Sequence, residues 1–257
     1  MNTLRLLSWN VNGIRAVERK GELQRLLQTT PDVLCLQEVK AAPEQLGQSL
    51  LAPPGYYAYW ESPARKGYSG VSILSRSQPL EIRAGFGVDR FDNEGRTLVA
   101  RYPSFLLYNV YFPNGKASQE RLDYKMDFYE AFLAHISGLR DCGERLVICG
   151  DYNTAHSELD LARPKENSNQ SGFLPREREW MDRLVDAGFI DTFRMFHAEG
   201  ERYSWWDLKS RARERNVGWR IDYFFVSDNL RDAVIDADIH AHVQGSDHCP
   251  VSLTVRT

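Results

Sequence analysis

The feature of this sequence that most constrains its fold is a run of apolar residues that ends in polar ones. Leu146–Cys149 is four apolar residues long and predicts a short buried strand. Gly150 then lets the backbone turn, and Asp151 and Asn153 stand at the carboxyl end of the strand. Because residues two apart on extended backbone share a face, this carboxylate and this carboxamide are predicted to point the same way. A Gly-Asp pair is also ordinary turn chemistry, so the interpretation as a functional site depends on other strand ends.

Length and composition predict a soluble globular protein. The 257 residues can bury a sizeable core, and we expect one domain over residues 1–257. Hydrophobic residues make up 42% of the chain and charged residues 26%, which is ordinary for that class. No apolar stretch is long enough to cross a bilayer, and Met1 leads directly into a strand-like run. We therefore expect no signal peptide, no membrane contact and a cytoplasmic location.

The cysteines and the net charge further indicate which kind of protein this sequence encodes. No pair of cysteines has C-x-x-C spacing, and Cys35 and Cys149 lie inside apolar runs, which indicates buried reduced thiols. The net charge of −3 argues against a protein that coats nucleic acid nonspecifically, but it permits a nuclease with an acidic site. A basic run in the last third indicates either a solvated loop face or a local surface for phosphates. This run consists of Lys209, Arg211, Arg213, Arg215 and Arg220.

Hydrophobic patterns predict a succession of strands and helices. Strands are predicted over Leu4–Asn10, Val33–Leu36, Gly70–Ser75, Thr97–Arg101, Phe105–Tyr111, Val217–Val226, Ile235–Ala241 and Val251–Val255. Helices are predicted over about Lys20–Leu27, from a cap at Ser118 to about Gly138, and over Pro175–Ala187. Within 217–226, alternation places Trp219, Ile221 and Tyr223 on one side of the strand and Arg220 and Asp222 on the other.

Polar side chains follow several of these strands and turns. The set comprises Asn10, Asn12, Glu38, Tyr111, Asn114, Asp151, Asn153, Asp247 and His248, with Asp222 inside a strand. Taken singly, each of these residues suits a structural role as well as a functional one. Together, their carboxylate and amide oxygens suit a hard cation such as Mg²⁺, whereas histidines and suitably placed cysteines are too few for zinc. One histidine beside several carboxylates also suits the activation of a water molecule.

Seven ordered motifs resemble those of a known enzyme family. They are Trp9-Asn10-Val11-Asn12-Gly13-Ile14-Arg15, Leu36-Gln37-Glu38, Gly67-Tyr68-Ser69-Gly70-Val71, Tyr111-x-Pro113-Asn114, Gly150-Asp151-Tyr152-Asn153, Trp219-Arg220-Ile221-Asp222-Tyr223 and Ser246-Asp247-His248. The chain resembles the exonuclease III family of apurinic/apyrimidinic (AP) endonucleases, within the endonuclease/exonuclease/phosphatase superfamily, from residue 4 to residue 255. Without the long N-terminal extension of the human enzyme, it resembles a bacterial member. The resemblance implies a four-layer α/β sandwich of two packed mixed β-sheets flanked by helices.

The resemblance also implies a metal site. Glu38 is expected to be the main Mg²⁺ ligand with Asn10 close by, and Mn²⁺ is expected to substitute. Asp247, Asp151 and Asn153 are the further expected members of the metal set. The family often has Asp where this chain has Asn12, so the resemblance does not make Asn12 a ligand.

Catalytic roles are implied at the matching positions. Asp151 is expected to orient or deprotonate the attacking water, and Asn153 and Tyr111 to hold the scissile phosphate. His248 and Asp222 are expected to form a hydrogen-bonded pair that faces the phosphate. Asp247 is expected near the metal, as a ligand or a proton donor.

Substrate recognition is implied at a separate set of positions. Trp205, Trp219 and Ile221 match an apolar pocket for a flipped-out, baseless deoxyribose, although such residues also suit a core. Asn114 and Asn167 match phosphate or active-site contacts.

Basic residues are expected to grip the DNA backbone. The basic run, together with the Arg65-Lys66 loop, is assigned to DNA phosphates. Lys116 is the nearest candidate for a residue that enters the duplex opposite the lesion, and Ala117 stands beside it.

The expected activity is Mg²⁺-dependent hydrolysis of the phosphodiester 5′ to an abasic site in duplex DNA, which leaves a 3′-hydroxyl and a 5′-deoxyribose phosphate. Exonuclease, 3′-phosphatase and 3′-phosphodiesterase side activities are also expected. The protein is expected to be a monomer, and its expected partner is double-stranded DNA with abasic sites or blocked 3′ ends. One alternative is an inositol or lipid phosphatase of the superfamily, against which the tryptophan pocket and the arginine run argue. The other is a catalytically weak regulator that binds protein or nucleic acid, which the joint presence of the catalytic set disfavours.

Overall fold

Two six-stranded β-sheets form the centre of the protein in the computed structural model, which describes residues 2–63, Arg65 and residues 67–257. The strands are β1 (Thr3–Asn10), β2 (Val33–Gln37), β3 (Tyr57–Glu61), β4 (Val71–Ser75), β5 (Glu81–Ala84), β6 (Thr97–Arg101), β7 (Leu106–Tyr111), β8 (Leu146–Asp151), β9 (Phe189–Asp191), β10 (Trp205–Trp206), β11 (Gly218–Trp219), β12 (Asp222–Ser227), β13 (Val234–Ile239) and β14 (Val251–Arg256). The α-helices are α1 (Ile14–Arg19), α2 (Glu22–Gln28), α3 (Gln48–Leu51), α4 (Asp89–Asp92), α5 (Gln119–Asp141), α6 (Pro164–Asn167) and α7 (Pro175–Asp186).

Both sheets are mixed. The first has the order β13-β14-β1-β2-β4-β3, and the second has the order β5-β6-β7-β8-β12-β9. Each contains one parallel pair, β1 with β2 and β7 with β8, while the other pairings are antiparallel. In each parallel pair the carboxyl ends lie side by side, which brings the polar residues after those strands to a common edge.

Strand alternation divides the molecule into layers. Leu6 on β1 and Val147 on β8 belong to the core between the sheets. Their neighbours in sequence face outward: Leu7 packs with the residues of α1 and α2, and Ile148 packs with those of α5 and α7. Helix, sheet, sheet and helix therefore follow one another, which confirms the predicted four-layer α/β sandwich.

The predicted helices are present, with corrected boundaries. Helix α5 begins after Ser118, whose Oγ accepts from the Arg121 N–H at 3.2 Å, so the predicted cap is confirmed. The sequence prediction missed α1 and began α2 about two residues early, at Lys20. Gly21, at φ 74°, separates these two helices.

The prediction of one continuous strand over residues 217–226 is wrong. The hydroxyl of Ser204 accepts from the N–H groups of both Ile221 and Asp222, each at 3.1 Å, and this interrupts the strand between β11 and β12. Ile221 consequently packs with Trp219, while Tyr223 packs in the layer of α5 and α7. The simple two-sided pattern therefore does not hold across the interruption.

Two smaller observations complete the description. Cys35, Cys149 and Cys249 are buried free thiols and Cys142 is exposed, so the prediction of buried reduced thiols is confirmed for Cys35 and Cys149. Among the described residues, no helix combines the length and the apolarity that crossing a membrane requires.

A buried ion pair joins α5 and α7 to the loop that follows β8. Lys125 Nζ lies 2.6 Å from Glu177 Oε1, and both side chains are fully buried. Lys125 also donates to the Asn153 carbonyl and to Thr154 Oγ1, each at 2.8 Å. Glu177 Oε2 accepts from the Gly172 N–H at 2.6 Å. One charge pair thus fixes two loops that run toward the same end of the sheets.

We predict that Glu177→Gln lowers the free energy of unfolding by about 3–5 kcal/mol, because it leaves the Lys125 ammonium buried without its counter-charge. Urea denaturation followed by circular dichroism measures this change. Glu179→Gln, at an exposed position of the same helix, is the matched control and should stay within about 0.5 kcal/mol of wild type. A loss below 1 kcal/mol for Glu177→Gln would contradict this account of the pair.

Candidate active site

The side chains of the site occupy the last inward-facing positions of their strands. On β1 the inward residues are Leu6, Ser8 and Asn10, and on β8 they are Val147, Cys149 and Asp151. Tyr111 is the last residue of β7, and Asp222 is the first residue of β12, which runs antiparallel to β8 and pairs Asp222 with Asp151. Alternation therefore carries polar groups from four strands to one end of the interior between the sheets.

The close approach of β7 and β8 beneath this site requires Gly150. A Cβ built on Gly150 would lie 1.8 Å from the Val110 carbonyl oxygen, and the φ of 139° is one that glycine adopts without strain. Any side chain at this position would push the two strands apart and displace Asp151.

Glu38 directly follows β2 on a left-handed turn, with φ 50°. Its Oε1 accepts from Asn10 Nδ2 at 2.8 Å, and its Oε2 lies 2.6 Å from Lys40 Nζ. Burial opposes ionisation, but Lys40 and Asn10 outweigh it and hold the pKa of Glu38 below its ordinary value. Glu38 is therefore an ionised carboxylate across the neutral range. The sequence prediction missed Lys40, although it lies two residues after Glu38.

Asp151 is buried at the centre of the cluster. Its Oδ2 accepts from Asn10 Nδ2 at 2.9 Å and lies 3.9 Å from His248 Nε2. Burial, with smaller contributions from the carboxylates of Asp222 and Glu38, raises the pKa of Asp151 to about 7 despite the imidazole. A carboxyl group with this pKa exchanges a proton near neutrality, as a general base must.

His248 and Asp222 form the predicted hydrogen-bonded pair. His248 Nδ1 lies 2.8 Å from Asp222 Oδ2, which also accepts from Ser204 Oγ at 2.6 Å. Burial disfavours the charged imidazolium, but Asp222, with Asp151 and Asp247, raises the pKa of His248 to about 10. The imidazolium therefore presents Nε2 toward Asp151 as a fixed positive donor. No signal in the sequence indicated Ser204.

Asp247 lies at the rim of the site. Asn12 Nδ2 donates to its Oδ1 at 2.9 Å, and the indole N–H of Trp205 donates to its Oδ2 at 3.1 Å. Burial raises its pKa, but His248 and these two donors outweigh burial and keep the pKa below its ordinary value. Asn12 also accepts from Lys40 Nζ at 2.5 Å, so it joins the rim to the turn of Glu38.

Two asparagines and a tyrosine complete the polar cluster. Asn153, at φ 53°, receives a hydrogen bond from Asn114 Nδ2 at 2.7 Å and donates to the Phe112 carbonyl at 2.9 Å. Burial and the nearby Glu38 carboxylate raise the pKa of Tyr111 well above its ordinary value, so its hydroxyl stays protonated. The Arg96 guanidinium lies 4.8 Å from the centroid of the Tyr111 ring.

An aromatic cavity adjoins the carboxylates. It has a volume of about 280 Å³, and Trp205, Trp219 and Ile221 form its apolar wall beside Asp151 and His248. The two indole rings meet edge to face with centroids 6.3 Å apart. Gly172 lies against this wall, and a Cβ there would come within 3.2 Å of the Trp219 ring. The structure therefore brings the predicted apolar pocket into one cavity with four members of the predicted catalytic set, which are Asp151, Asn153, Asp247 and His248.

Asn167 is not brought to this cavity. Its amide donates to the carbonyls of Ala162 and Arg163, at 3.3 and 2.9 Å. These bonds hold the left-handed turn at Arg163, with φ 58°, that precedes α6. The prediction that Asn167 contacts the active site is therefore not supported by its position.

Only some residues of the basic run are exposed. Arg220 is buried and pairs with Asp160 at 2.6 Å and Asp191 at 2.7 Å, so its assignment to DNA phosphates is wrong. Arg213 donates to three backbone carbonyls, and its guanidinium lies 4.5 Å from the centroid of the Trp206 ring. The remaining members, Lys209, Arg211 and Arg215, are exposed. In the other predicted phosphate loop, Arg65 lies over the ring of Tyr68 at 5.2 Å, and Lys66 is outside the described residues.

The donor set fits a divalent cation. Potential ligand atoms of Glu38, Asp151 and His248 lie within 4.8 Å of one another. Because the His248 imidazolium has no free lone pair, the two carboxylates are the candidate ligands of this group. Asn10 turns its Nδ2 toward Glu38 and Asp151, while its Oδ1 accepts from the Asn12 N–H at 2.9 Å. Asn10 therefore bridges the carboxylates here, and its role as a metal ligand stays a prediction, as do the metal roles of Asp247 and Asn153.

Comparisons with known proteins agree with this geometry. The model of the Endonuclease/Exonuclease/phosphatase family matches residues 7–248. The chain belongs to this family. It is 45% identical over 254 residues to the exodeoxyribonuclease of Bacillus subtilis (strain 168), covering 98% of this chain and 99% of that protein. It is 36% identical over 258 residues to the DNA-(apurinic or apyrimidinic site) endonuclease of Dictyostelium discoideum, covering 99% and 71%.

A solved structure extends the agreement to the fold. The AP endonuclease from Archaeoglobus fulgidus superposes with a TM-score of 0.89 at 26% identity, covering 99% of this chain and 100% of that one. These findings confirm the resemblance to the exonuclease III type of AP endonuclease. The protein is therefore a metal-dependent phosphodiesterase of the nuclease branch.

The His248–Asp222 pair makes stability depend on pH in a defined direction. The pKa of His248 is about 10 in the folded state and roughly 6.5 in an unfolded chain. Between these values the folded state binds a proton that the unfolded state lacks, so the free energy of unfolding falls as pH rises from about 6.5 to about 10. Urea denaturation in EDTA across this range should show this fall in wild type.

Removing either member of the pair should flatten that pH dependence. His248→Gln deletes the titrating group, and Asp222→Asn removes the carboxylate that holds its proton. A fall in stability that is unchanged in both variants would show that the slope has another origin.

Proposed function

We propose that the protein is a Mg²⁺-dependent DNA repair nuclease that hydrolyses the phosphodiester 5′ to an abasic site in double-stranded DNA. The products would be a 3′-hydroxyl and a 5′-deoxyribose phosphate. We also propose activity on blocked 3′ ends, as a monomer in the cytoplasm, with Mn²⁺ able to substitute for Mg²⁺. The observation that supports this function best is the shared cavity, in which an apolar aromatic wall stands directly beside Asp151 and His248.

The arrangement suits the charge that develops during phosphodiester hydrolysis. A bound Mg²⁺ would supply positive charge at the scissile phosphate, and Glu38 is the residue best placed to hold it, with the Asp151 carboxylate within reach. The His248 imidazolium offers a donor to a phosphate oxygen from the protein itself. Because Asp222 holds the imidazole at Nδ1, this donor needs little reorganisation when charge builds up. The Asn153 amide donates to the Phe112 carbonyl and to Asp151, so it would have to exchange one of these partners to reach the phosphate.

Asp151 is the residue suited to prepare the attacking water. Its pKa of about 7 allows it to accept a proton near neutral pH, and Asn10 and the Asn153 N–H orient its two oxygens. Glu38 and Asp247, whose pKa values lie below the ordinary range, remain ionised under the same conditions. The carboxylates are thus divided between one group that exchanges protons and others that stay charged.

The aromatic wall suits the selection of a baseless sugar. A cavity of about 280 Å³ bounded by Trp205, Trp219 and Ile221 is compact for a nucleoside but fits a deoxyribose. An intact nucleotide would need both extrusion from the stack and extra room for its base. The shape of the cavity would therefore disfavour the binding of undamaged DNA.

Cleavage of a duplex with one internal tetrahydrofuran site tests the function directly. Wild type should incise it in Mg²⁺ and not in EDTA, and Asp151→Asn should lower the rate by ~10²–10⁴-fold because the base is lost. Asp186→Asn, an exposed residue at the end of α7, should cleave like wild type. Undiminished incision in EDTA would contradict the proposal.

The selection step has its own test. Trp219→Ala should lower the ratio of kcat/KM for the tetrahydrofuran site over an intact site by at least about 10-fold, since it opens the cavity wall. Trp205→Phe keeps an aromatic ring but removes the N–H that donates to Asp247, so it should retain most of the preference. Steady-state kinetics on blocked-end duplexes measure both, and an unchanged ratio in Trp219→Ala would contradict this role.

A further inference from the structure

Lys116 is an exposed residue whose primary amine lines the aromatic cavity. Its Nζ lies 5.0 Å from the centroid of the Trp205 ring and 5.4 Å from that of the Trp219 ring. The backbone N–H of Lys116 donates to Asn114 Oδ1 at 2.8 Å, and Asn114 in turn donates to Asn153. The backbone at Lys116 is therefore anchored to the loop of Asn114, while the amine of its side chain faces two indoles.

The surroundings of this amine differ from those of a structural lysine. Lys125, nine residues later, is held by Glu177 at 2.6 Å, whereas Lys116 forms no such ion pair among the residues that the structure describes. Burial lowers the pKa of Lys116, although Asp151, Glu177 and Asp207 act in the opposite direction. The two indole rings shield part of this otherwise exposed side chain from water, and a lowered pKa raises the fraction of free amine, which is the nucleophilic form.

We infer that Lys116 attacks the aldehyde of a ring-opened abasic site, which gives the protein a metal-independent lyase activity besides phosphodiester hydrolysis. This inference rests on the proposed function, because it requires the abasic sugar to enter the cavity that Lys116 lines. The substrate class is a natural abasic site, whose C1′ carries an aldehyde in the open form.

The reaction needs only water and a proton from solvent. The Nζ lone pair adds to C1′, the resulting carbinolamine takes up a proton from solvent, and loss of one water gives a protonated imine. A proton then leaves C2′ for water, and the electron pair forms a C1′=C2′ enamine. The enamine expels the 3′ phosphate with the electrons of the C3′–O bond, and C2′=C3′ forms. Water finally hydrolyses the imine, which frees the amine and releases an unsaturated aldehyde on the 3′ end of the upstream strand.

The cavity suits the cationic intermediate. The protonated imine would carry its positive charge where the Lys116 ammonium now lies, between the faces and edges of two indole rings. A cation in this position is attracted by the indole quadrupole, most strongly when water is excluded. The walls that recognise the sugar would thus also stabilise its covalent adduct.

Borohydride trapping tests the inference. The full-length protein in EDTA is mixed with a duplex that carries one natural abasic site, and sodium borohydride is added to reduce the imine to a stable amine. We expect a covalent protein–DNA adduct on a denaturing gel, with the modification mapped to Lys116 by mass spectrometry of the wild-type adduct. Lys116→Arg, which keeps the charge but lacks the nucleophilic amine, should reduce the adduct by at least tenfold. Lys165→Arg, at an exposed position on α6, should leave it unchanged.

A tetrahydrofuran duplex separates this inference from the proposed function, because it has no aldehyde and cannot form an imine. Incision of that duplex in Mg²⁺ together with no trapped adduct on natural abasic DNA would overturn the lyase and leave hydrolysis standing. An adduct that maps to another lysine, or that survives Lys116→Arg undiminished, would overturn it as well. No incision of the tetrahydrofuran duplex in Mg²⁺ would count against the proposed hydrolysis, whatever the trapping result.

Discussion

The packing of two sheets face to face is the constraint on which the rest of the structure depends. Each strand must send every second side chain into the shared core, so register cannot slip by one residue without exposing the whole set. At the ends of β1, β7, β8 and β12 the same alternation continues past the apolar residues and delivers Asn10, Tyr111, Asp151 and Asp222. The candidate active site is therefore the polar end of the hydrophobic core, and the packing of that core holds its side chains in place.

Buried polar groups fix one sheet against the other directly beneath this site. Gln37 Nε2 donates to Ser8 Oγ at 2.9 Å within the first sheet and to Asn109 Oδ1 at 2.7 Å in the second. Asn109 Nδ2 returns hydrogen bonds to the carbonyls of Leu36 and Ser72. Apolar packing alone is not directional, whereas these bonds hold only at one offset of the sheets. They tie the strand that precedes Glu38 to the strand that ends at Tyr111.

The sequence predicted what depends on local pattern and missed what depends on distant partners. Period-two alternation and strand ends located Asn10, Asp151 and their neighbours, and the family motifs supplied His248 with Asp222. Nothing local showed that Ser204 would interrupt the strand before Asp222, since the two are 18 residues apart. Arg220 looked like part of a basic surface because its partners, Asp160 and Asp191, lie 60 and 29 residues away. Asn167 was assigned by the family resemblance, but the left-handed turn before α6 directs its amide to local carbonyls.

The carboxylates of the site differ in pKa because their surroundings differ. Glu38 and Asp247 receive donors from Lys40, Asn12 and Trp205 at the rim, and these donors favour the ionised form. Asp151 sits deeper, where burial and two neighbouring carboxylates outweigh the imidazolium, and its pKa rises to about 7. Groups whose environments push their pKa values apart take different roles in acid–base chemistry. The same depth that sets the pKa of Asp151 places it against the aromatic wall, so the proposed base and the proposed substrate surface belong to one cavity.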